Sequence, residues 1–347
     1  MHTPRNWHAS AEGLLLPVMA LAAALLLFGV FCWFGGQSPT EVWGLLFRGA
    51  FGDAFSWQNT LQRAAPLMLT ALCVALPARA GLIIIGGEGA VVLGGLAAAA
   101  LPYAIPLPGN VVGTAMLCLA GMAVGAAWIA LAGALRQYRG VNETISSLLL
   151  AYTAIALFKQ LVEGPLRDPK TLNKPSTRSL VETLQIGGIA GSDVHWGLVL
   201  GVVACVGLGL WLAFTPGGFA VRVVGGNPRT AQLVGLPASG LILLACALGG
   251  GCAGLAGAIE VAGRTGYVTL DMSPGYGYTG IVIAMLAGLH PLGVIAAGVF
   301  VAGVLVGADT MSRAVGVPTY IADVIVAASL IAVLVATLLT QYRVRMK

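Results

Sequence analysis

The chain is poor in charged residues: only 9% of its 347 residues are Asp, Glu, Lys or Arg, whereas 58% are hydrophobic and the mean hydropathy is +0.91. Soluble domains carry about 25% charged residues, which keep their surfaces hydrated. Most of this surface therefore faces lipid, which excludes soluble enzymes, nucleic-acid-binding proteins and secreted disulfide-stabilised domains. The net charge of +5 is better explained by membrane topology than by a polyanionic partner.

Recognisable metal, disulfide and nucleotide motifs are missing from the sequence. None of the six cysteines belongs to a CxxC pair or lies near a histidine, so we predict no metal site and no disulfide framework, and no cofactor is implied. No GxxxxGK(S/T) phosphate-binding loop occurs, so if ATP drives this protein, another chain binds the ATP. No serine–histidine, HExxH or clustered-aspartate arrangement indicates an intramembrane enzyme.

Long apolar runs predict an all-α polytopic membrane protein with about ten transmembrane helices, because about 20 apolar residues cross a bilayer. The expected spans cover roughly residues 14–34, 61–79, 82–101, 110–134, 144–162, 196–214, 240–262, 277–289, 292–308 and 319–341. We expect one transmembrane domain, residues 1–347, with an extracytoplasmic loop at 163–195 and a cytoplasmic loop at 215–239.

The distribution of basic residues predicts the orientation. An even number of spans puts both termini on one side of the membrane. The basic residues that follow the last span place that side in the cytoplasm: Arg343, Arg345 and Lys347.

A faint internal repeat is present. Leu67–Ala71 resembles Leu241–Ala245 in residue type, and the run entered at Val141–Glu143 has a counterpart entered at Val317–Thr319. The matched spans run in opposite directions in the predicted topology. This pattern indicates an inverted repeat, in which a transport pathway forms between two halves.

Glycine is abundant, at 49 residues, and it clusters within the spans around positions 86–95 and 249–257. Helices in lipid associate through close backbone approach at small residues. We therefore expect tight helix packing at these positions.

Three acidic residues within or beside the spans are candidates for a translocation path or an ion site, since charge in a bilayer is costly. Glu88 is flanked by glycines, Asp309 lies at a predicted outer mouth, and Asp323 lies about one turn into the last span. Glu260 precedes Arg264 by four residues, which predicts an ion pair on one helix face.

The sequence leaves open the roles of two further pairs of residues. Asn142 is predicted to cap the helix that begins at Glu143, and this pair is either a structural cap or part of the path. Tyr276 and Tyr278 follow a break in helical character, where they either stack on a flat solute or anchor the membrane interface.

The cytoplasmic loop predicts one short amphipathic helix of about seven residues. Asn227-Pro228 is typical of a helix start, and Gly235 is typical of a helix end. Its few apolar side chains, including Ala231 and Leu233, favour docking to a partner over burial in a core.

Four motifs together resemble the permease subunits of bacterial ABC importers. The chain is most similar to the simple sugar and nucleoside branch, which is related to the ribose and branched-chain amino acid permeases. The resemblance covers roughly residues 60–340, and the motifs are Arg79–Leu82 running into Gly87–Gly89, Gly140–Glu143, Gly226–Ala231 and Ser273–Ile281. Ile84-Ile85-Gly86-Gly87-Glu88-Gly89 departs from the family's Asn-Ile-Gly-Ala-Glu-Gly, so the role of that asparagine is open.

The resemblance implies half of a translocation path in the bacterial inner membrane for a nucleoside, a purine-like solute or a simple sugar. It implies cytoplasmic ATPase subunits, an extracytoplasmic solute-binding protein and a second permease, in a heterodimer or alternatively a homodimer. The residues expected to couple to the ATPase are Gly226, Asn227, Pro228, Arg229, Ala231, Gln232 and Gly235. The residues expected on the path or at a gate are Glu88, Asn142, Glu143, Tyr276, Tyr278, Asp309 and Asp323.

The alternative hypothesis is an ion-coupled secondary transporter. It would use Glu88, Asp309 or Asp323 as a proton or sodium site, and it predicts transport without any ATPase.

Overall fold

The structure is a computed structural model that describes residues 38–171, 174–189, 191–272 and 275–315, together with isolated residues near both ends of the chain. Residues 61–299 form one compact unit, and the residues up to Thr60 and from Phe300 onward form another. The described residues are mainly α-helical, and two isolated bridges, Ser176 with Thr269 and Gly188 with His195, are the only β pairings among them.

Eleven α-helices are described, with a single 3₁₀ turn at Glu182–Leu184 and a π-helical turn at Val261–Thr265. They are α1 (Pro39–Phe51), α2 (Ala54–Arg79), α3 (Gly87–Ala104), α4 (Val111–Arg139), α5 (Glu143–Glu163), α6 (Gly197–Phe214), α7 (Pro216–Gly226), α8 (Pro228–Leu233), α9 (Ala238–Glu260), α10 (Tyr276–Leu286) and α11 (Pro291–Val315).

Seven of these helices are long and apolar enough to cross a membrane: α2, α3, α4, α5, α6, α9 with its π-helical turn, and α11. They match seven of the expected spans, which confirms an all-α polytopic fold. The expected eighth span is only the 11-residue α10, and a turn at residues 287–290 separates it from α11. The first and last expected spans lie largely outside the described residues. The short helix α1 was not predicted.

Glycines bring three helices of the 61–299 unit into backbone contact, as the clusters in the sequence predict. A Cβ at Gly254 of α9 would collide with the carbonyl oxygen of Gly121 in α4, and a Cβ at Gly125 would lie 2.7 Å from Gly254 Cα. On α3, a Cβ at Gly94 would collide with Gly254 itself. Side chains at these positions would separate the backbones of α3, α4 and α9.

The backbone between α2 and α3 is not helical over residues 82–85, although this segment was predicted to be part of a span. Side chains from the first turns of α5 bind it: Thr144 Oγ1 donates to Ile83 O at 3.0 Å, and Ile85 N donates to Ser147 Oγ at 3.2 Å. These contacts matter because lipid offers no partner to an exposed peptide group.

The loop at 163–195 is held against the segment that follows α9. Backbone N–H groups of Thr177, Leu180 and Ile186 donate to the carbonyl oxygens of Val268, Gly266 and Ala262 at 2.7–2.9 Å. The side chain of His195 is buried at the end of this loop, where it accepts a hydrogen bond from Gly197 N. Burial, with a smaller contribution from Arg264, lowers the pKa of His195, which keeps the imidazole neutral at pH 7.

In the other unit, α1 packs against the second half of α11 through glycines. A Cβ at Gly49 would lie 2.5 Å from Thr310 Cβ, and a Cβ at Gly303 would lie 3.1 Å from a ring carbon of Phe51. Thr60 Oγ1 donates to Ala50 O at 2.8 Å, which ties the start of α2 to α1.

We expect Gly254→Ala to lower the melting temperature of the purified protein, since an added methyl group overpacks the contact between α9 and α4 at a cost of about 1–3 kcal/mol. Gly240→Ala is the matched control, because Gly240 lies on the same helix with open space around its Cα. It should leave the melting temperature unchanged or raise it. Equal melting temperatures for the two variants would contradict the packing described here.

Candidate functional site

The amino ends of α3 and α10 meet inside the helix bundle. Gly87 and Glu88 open α3, and Tyr276 and Gly277 open α10. A Cβ at Gly277 would collide with the backbone of Glu88, and one at Gly87 would lie 3.7 Å from Gly277 Cα. Only glycine allows the two helix starts to approach this closely.

The carboxylate of Glu88 bridges the two helix starts. Its side chain is 0% exposed, and it accepts hydrogen bonds from Gly275 N at 3.1 Å and from Gly277 N at 2.6 Å. The amino end of a helix carries a partial positive charge and unpaired N–H donors. Two such ends therefore surround one carboxylate, which explains how an acidic residue is accommodated at this depth.

The two tyrosines of this region have different environments. Tyr276 is 3% exposed, and its hydroxyl accepts a hydrogen bond from Arg264 at 3.3 Å. Arg264 also binds Glu260 at 2.6 Å, which confirms the predicted ion pair. Tyr278 is partly exposed. Tyr276 is thus held within the protein, whereas part of the Tyr278 side chain is accessible.

The carboxyl end of α10 is held as well. The guanidinium group of Arg79 donates two hydrogen bonds to Leu289 O, at 2.9 and 3.1 Å, in the turn that follows α10. Leu289 has a positive φ of 57°, which is rare for a residue with a Cβ. Arg79 and Glu88 lie nine residues apart in sequence and bind opposite ends of α10.

Asn142 and Glu143 form a separate polar group at the start of α5. The side chain of Asn142 accepts from Ile145 N at 3.1 Å, which confirms the predicted cap. Glu143 pairs with Arg136 at the end of α4, at 3.3 Å. Asp309 lies half-buried on α11 in the other unit, and Asp323 lies outside the described residues.

The loop at residues 215–239 contains two helices where one was expected. The predicted helix is α8, and the side chain of Asn227 caps it by accepting from Arg229 N and Thr230 N. Gly235 ends this segment with a φ of 81°. The unexpected helix is α7, which Thr215 caps by accepting from Gly218 N at 3.1 Å.

Most of the residues predicted to couple to an ATPase are exposed: Gly226, Asn227, Pro228, Arg229, Gln232 and Gly235. Ala231 is 0% exposed and packs inward, so it is not available to a partner. Leu233 is 87% exposed and supplies the apolar tip of α8. The end of α7 contacts the corner that follows α2, because a Cβ at Gly225 would collide with Arg79 O.

Comparison with known proteins decides the family. The model of the family described as "Branched-chain amino acid transport system / permease component" matches residues 56–334. The chain belongs to this permease family. It is 33% identical to the glucose ABC transporter permease protein of Haloferax volcanii, over 94% of this chain and 89% of the relative.

Two further relatives are nucleoside transport proteins. The chain is 28% identical to the guanosine ABC transporter permease protein of Bacillus subtilis, over 90% of this chain and 91% of the relative. It is 27% identical to the nucleoside ABC transporter permease protein of Lactococcus lactis subsp. cremoris, over 90% of this chain and 88% of the relative.

This permease is therefore a multi-pass inner-membrane subunit of an ABC importer, which functions with ATPase and solute-binding partners and is not itself an enzyme. The ion-coupled alternative is not favoured, because these relatives are subunits of ATP-driven systems. The sequence indicated Glu88 through its flanking glycines. Two hydrogen-bond pairings could not be predicted from the sequence: Arg79 with Leu289 O, and Glu88 with the N–H groups at the start of α10. Both link residues that are about 190 or more positions apart.

We expect Glu88→Gln to destabilise the protein, because the amide NH₂ would face one of two backbone N–H donors and the charge at both helix starts would be lost. Losing a charged hydrogen bond costs roughly 1.5–3 kcal/mol. The melting temperature of the purified protein measures this effect. Glu182→Gln, at an exposed position in the 163–195 loop, is the control and should leave it unchanged. If Glu88→Gln melted at the same temperature as the unaltered protein, Glu88 would not stabilise the two helix starts.

Proposed function

We propose that this permease forms half of the translocation path for a nucleoside, a purine-like solute or a simple sugar, and that α8 receives the conformational energy of the ATPase. The observation that carries the coupling proposal is α8 itself. It is a short, capped and exposed helix with an apolar tip at Leu233, on a loop that also contacts the corner at Arg79.

The proposed coupling surface consists of the exposed residues Gly226, Asn227, Pro228, Arg229, Gln232, Leu233 and Gly235. Ala231 is buried beneath this surface and is not part of it. Leu233 and the adjacent Val234 are both exposed, so the end of this six-residue helix offers an apolar surface that a partner would cover. The inward position of Ala231 supports the shape of the loop that presents this surface.

In this proposal, Glu88 holds the starts of α3 and α10 together. Tyr276 supports it from within the bundle, and Tyr278 faces the path. Asn142 and Glu143 set the start of α5, while Asp309 and Asp323 remain candidates for a gate. The buried position of Glu88 favours this structural role over a proton site, because two backbone N–H groups bind its carboxylate.

The solute class is inferred from the relatives, which are described as permeases for glucose, guanosine and nucleosides. These solutes share a ring with several hydroxyl groups. A solute-binding protein that is encoded with this permease and binds such a ring would support the proposal, and one that binds only branched-chain amino acids would overturn it.

The proposed topology has ten spans, both termini in the cytoplasm and an inverted repeat. The seven long helices and α10 supply eight of these elements. The repeat rests on the matched segments 67–71 with 241–245 and 141–143 with 317–319. A second and distinct permease would complete the path as a heterodimer, and a homodimer is the alternative assembly.

We expect Leu233→Arg to abolish uptake and to prevent recovery of the ATPase when the tagged permease is purified in mild detergent, because a charge would replace the apolar tip of α8. Mass spectrometry of the purified complex identifies an ATPase by its phosphate-binding motif and reveals any second permease. Val181→Arg, exposed in the 163–195 loop, is the control and should retain the ATPase.

Normal uptake and normal ATPase recovery with Leu233→Arg would refute the coupling assignment. Unchanged melting temperatures of both variants would show that neither substitution acts by unfolding the permease.

A further inference from the structure

The exposed faces of the membrane helices differ in chemistry. Between residues 111 and 131, every exposed side chain of α4 is apolar, and Leu119 is a prominent example. The exposed side chains of α6, such as Val203 and Leu210, are likewise all apolar. These two faces suit lipid, which has the same polarity as leucine.

The exposed face of α5 carries polar groups at the middle of the helix. Tyr152 is 59% exposed, and the neighbouring Thr153 is exposed too. At a rise of about 1.5 Å per residue, they lie roughly 14 Å from the start of α5, which is about half of a hydrocarbon core of about 30 Å. Polar side chains at this depth normally face protein or a water-filled cavity.

These two residues lie at the level where α3 and α10 begin. A Cβ at Gly89, next to Glu88, would lie 2.8 Å from the Cα of Ala151. Tyr152 follows Ala151 directly. Tyr278 directly follows Gly277, and a Cβ at Gly277 would collide with the backbone of Glu88. Tyr152, Thr153 and Tyr278 therefore define one patch, here called the mid-membrane patch.

We propose that the mid-membrane patch contacts the solute at the middle of the translocation path and that it selects an uncharged ring bearing hydroxyl groups. This inference rests on the proposed function, and it adds Tyr152 and Thr153 as specificity-determining residues.

The chemistry of the patch supports this solute class. Phenol rings stack on flat or apolar ring faces, and the hydroxyl groups of Tyr152 and Tyr278 can donate to or accept from hydroxyls of the solute. The hydroxyl of Thr153 donates to Leu149 O at 2.9 Å, so it can accept a hydrogen bond from the solute. The carboxylate of Glu88 is fully buried and bound by backbone N–H groups. The patch therefore offers shape and hydrogen bonds without a net charge to attract an ion.

Cysteine accessibility in the complete complex tests whether the patch faces water. We expect Tyr152→Cys and Thr153→Cys to react with a membrane-impermeant cationic methanethiosulfonate in membrane vesicles. Leu119→Cys is the matched control, because Leu119 is 61% exposed on the apolar face of α4, and it should not react. The five native cysteines in the described residues are buried, and Cys32, which lies outside them, is replaced by serine.

Rates of uptake test the contact with solute, with glucose and guanosine as the probes. We expect Tyr152→Ala to lower the maximal rate about 2- to 10-fold, the loss of one stacking contact of about 0.5–1.5 kcal/mol, and Tyr152→Phe to keep most of it. Leu119→Ala should leave the rate unchanged. Saturation with the transported probe should slow modification of Tyr152→Cys.

The outcomes separate this inference from the proposed function. If Tyr152→Cys resists the reagent and Tyr152→Ala imports at the parental rate, the patch is covered by lipid or by the second permease, and the inference is overturned while import stands. If the unaltered complex imports neither glucose nor guanosine, the proposed solute class fails. If Tyr152→Cys reacts but the complex imports only a charged solute, the selectivity assigned to the patch is refuted.

Discussion

The need to pair every backbone polar group within lipid explains the central part of this permease. An unbroken helix meets this need by itself, but α2, α3 and α10 begin or end within the helix bundle. Each break is matched by a side chain from elsewhere: Ser147 and Thr144 bind residues 83–85, Glu88 binds the start of α10, and Arg79 binds the turn after it. The polar residues of the bundle are thus in large part partners of the backbone.

Where helices are unbroken and need no polar partner, glycine allows them to pack closely. At Gly94, Gly121 and Gly254, three helices approach until their backbones touch, and this contact compensates for the absence of a hydrophobic driving force between helices in lipid. The same residue type allows Gly277 to meet Glu88.

Local patterns in the sequence predicted local structure well. Hydropathy identified the seven long helices, and the caps at Asn142 and Asn227 followed from residues within a few positions of one another. Hydropathy missed α1, which has 13 residues and contains Arg48 and Glu41. It also missed α7, which has 11 residues and includes four glycines, a residue of low helix propensity. The burial of Tyr276 could not be deduced, because it depends on Arg264 and on the approach of α3 to α10.

The attachment of α10 at both ends has a mechanical consequence. Arg79 and Glu88 lie nine positions apart on one chain segment, and their side chains bind opposite ends of an 11-residue helix. Because both side chains belong to one segment, a change in the backbone between α2 and α3 would act on both ends of α10 at once. The end of α7 touches the same segment, where a Cβ at Gly225 would collide with Arg79 O, so this corner joins α7 to both attachments of α10.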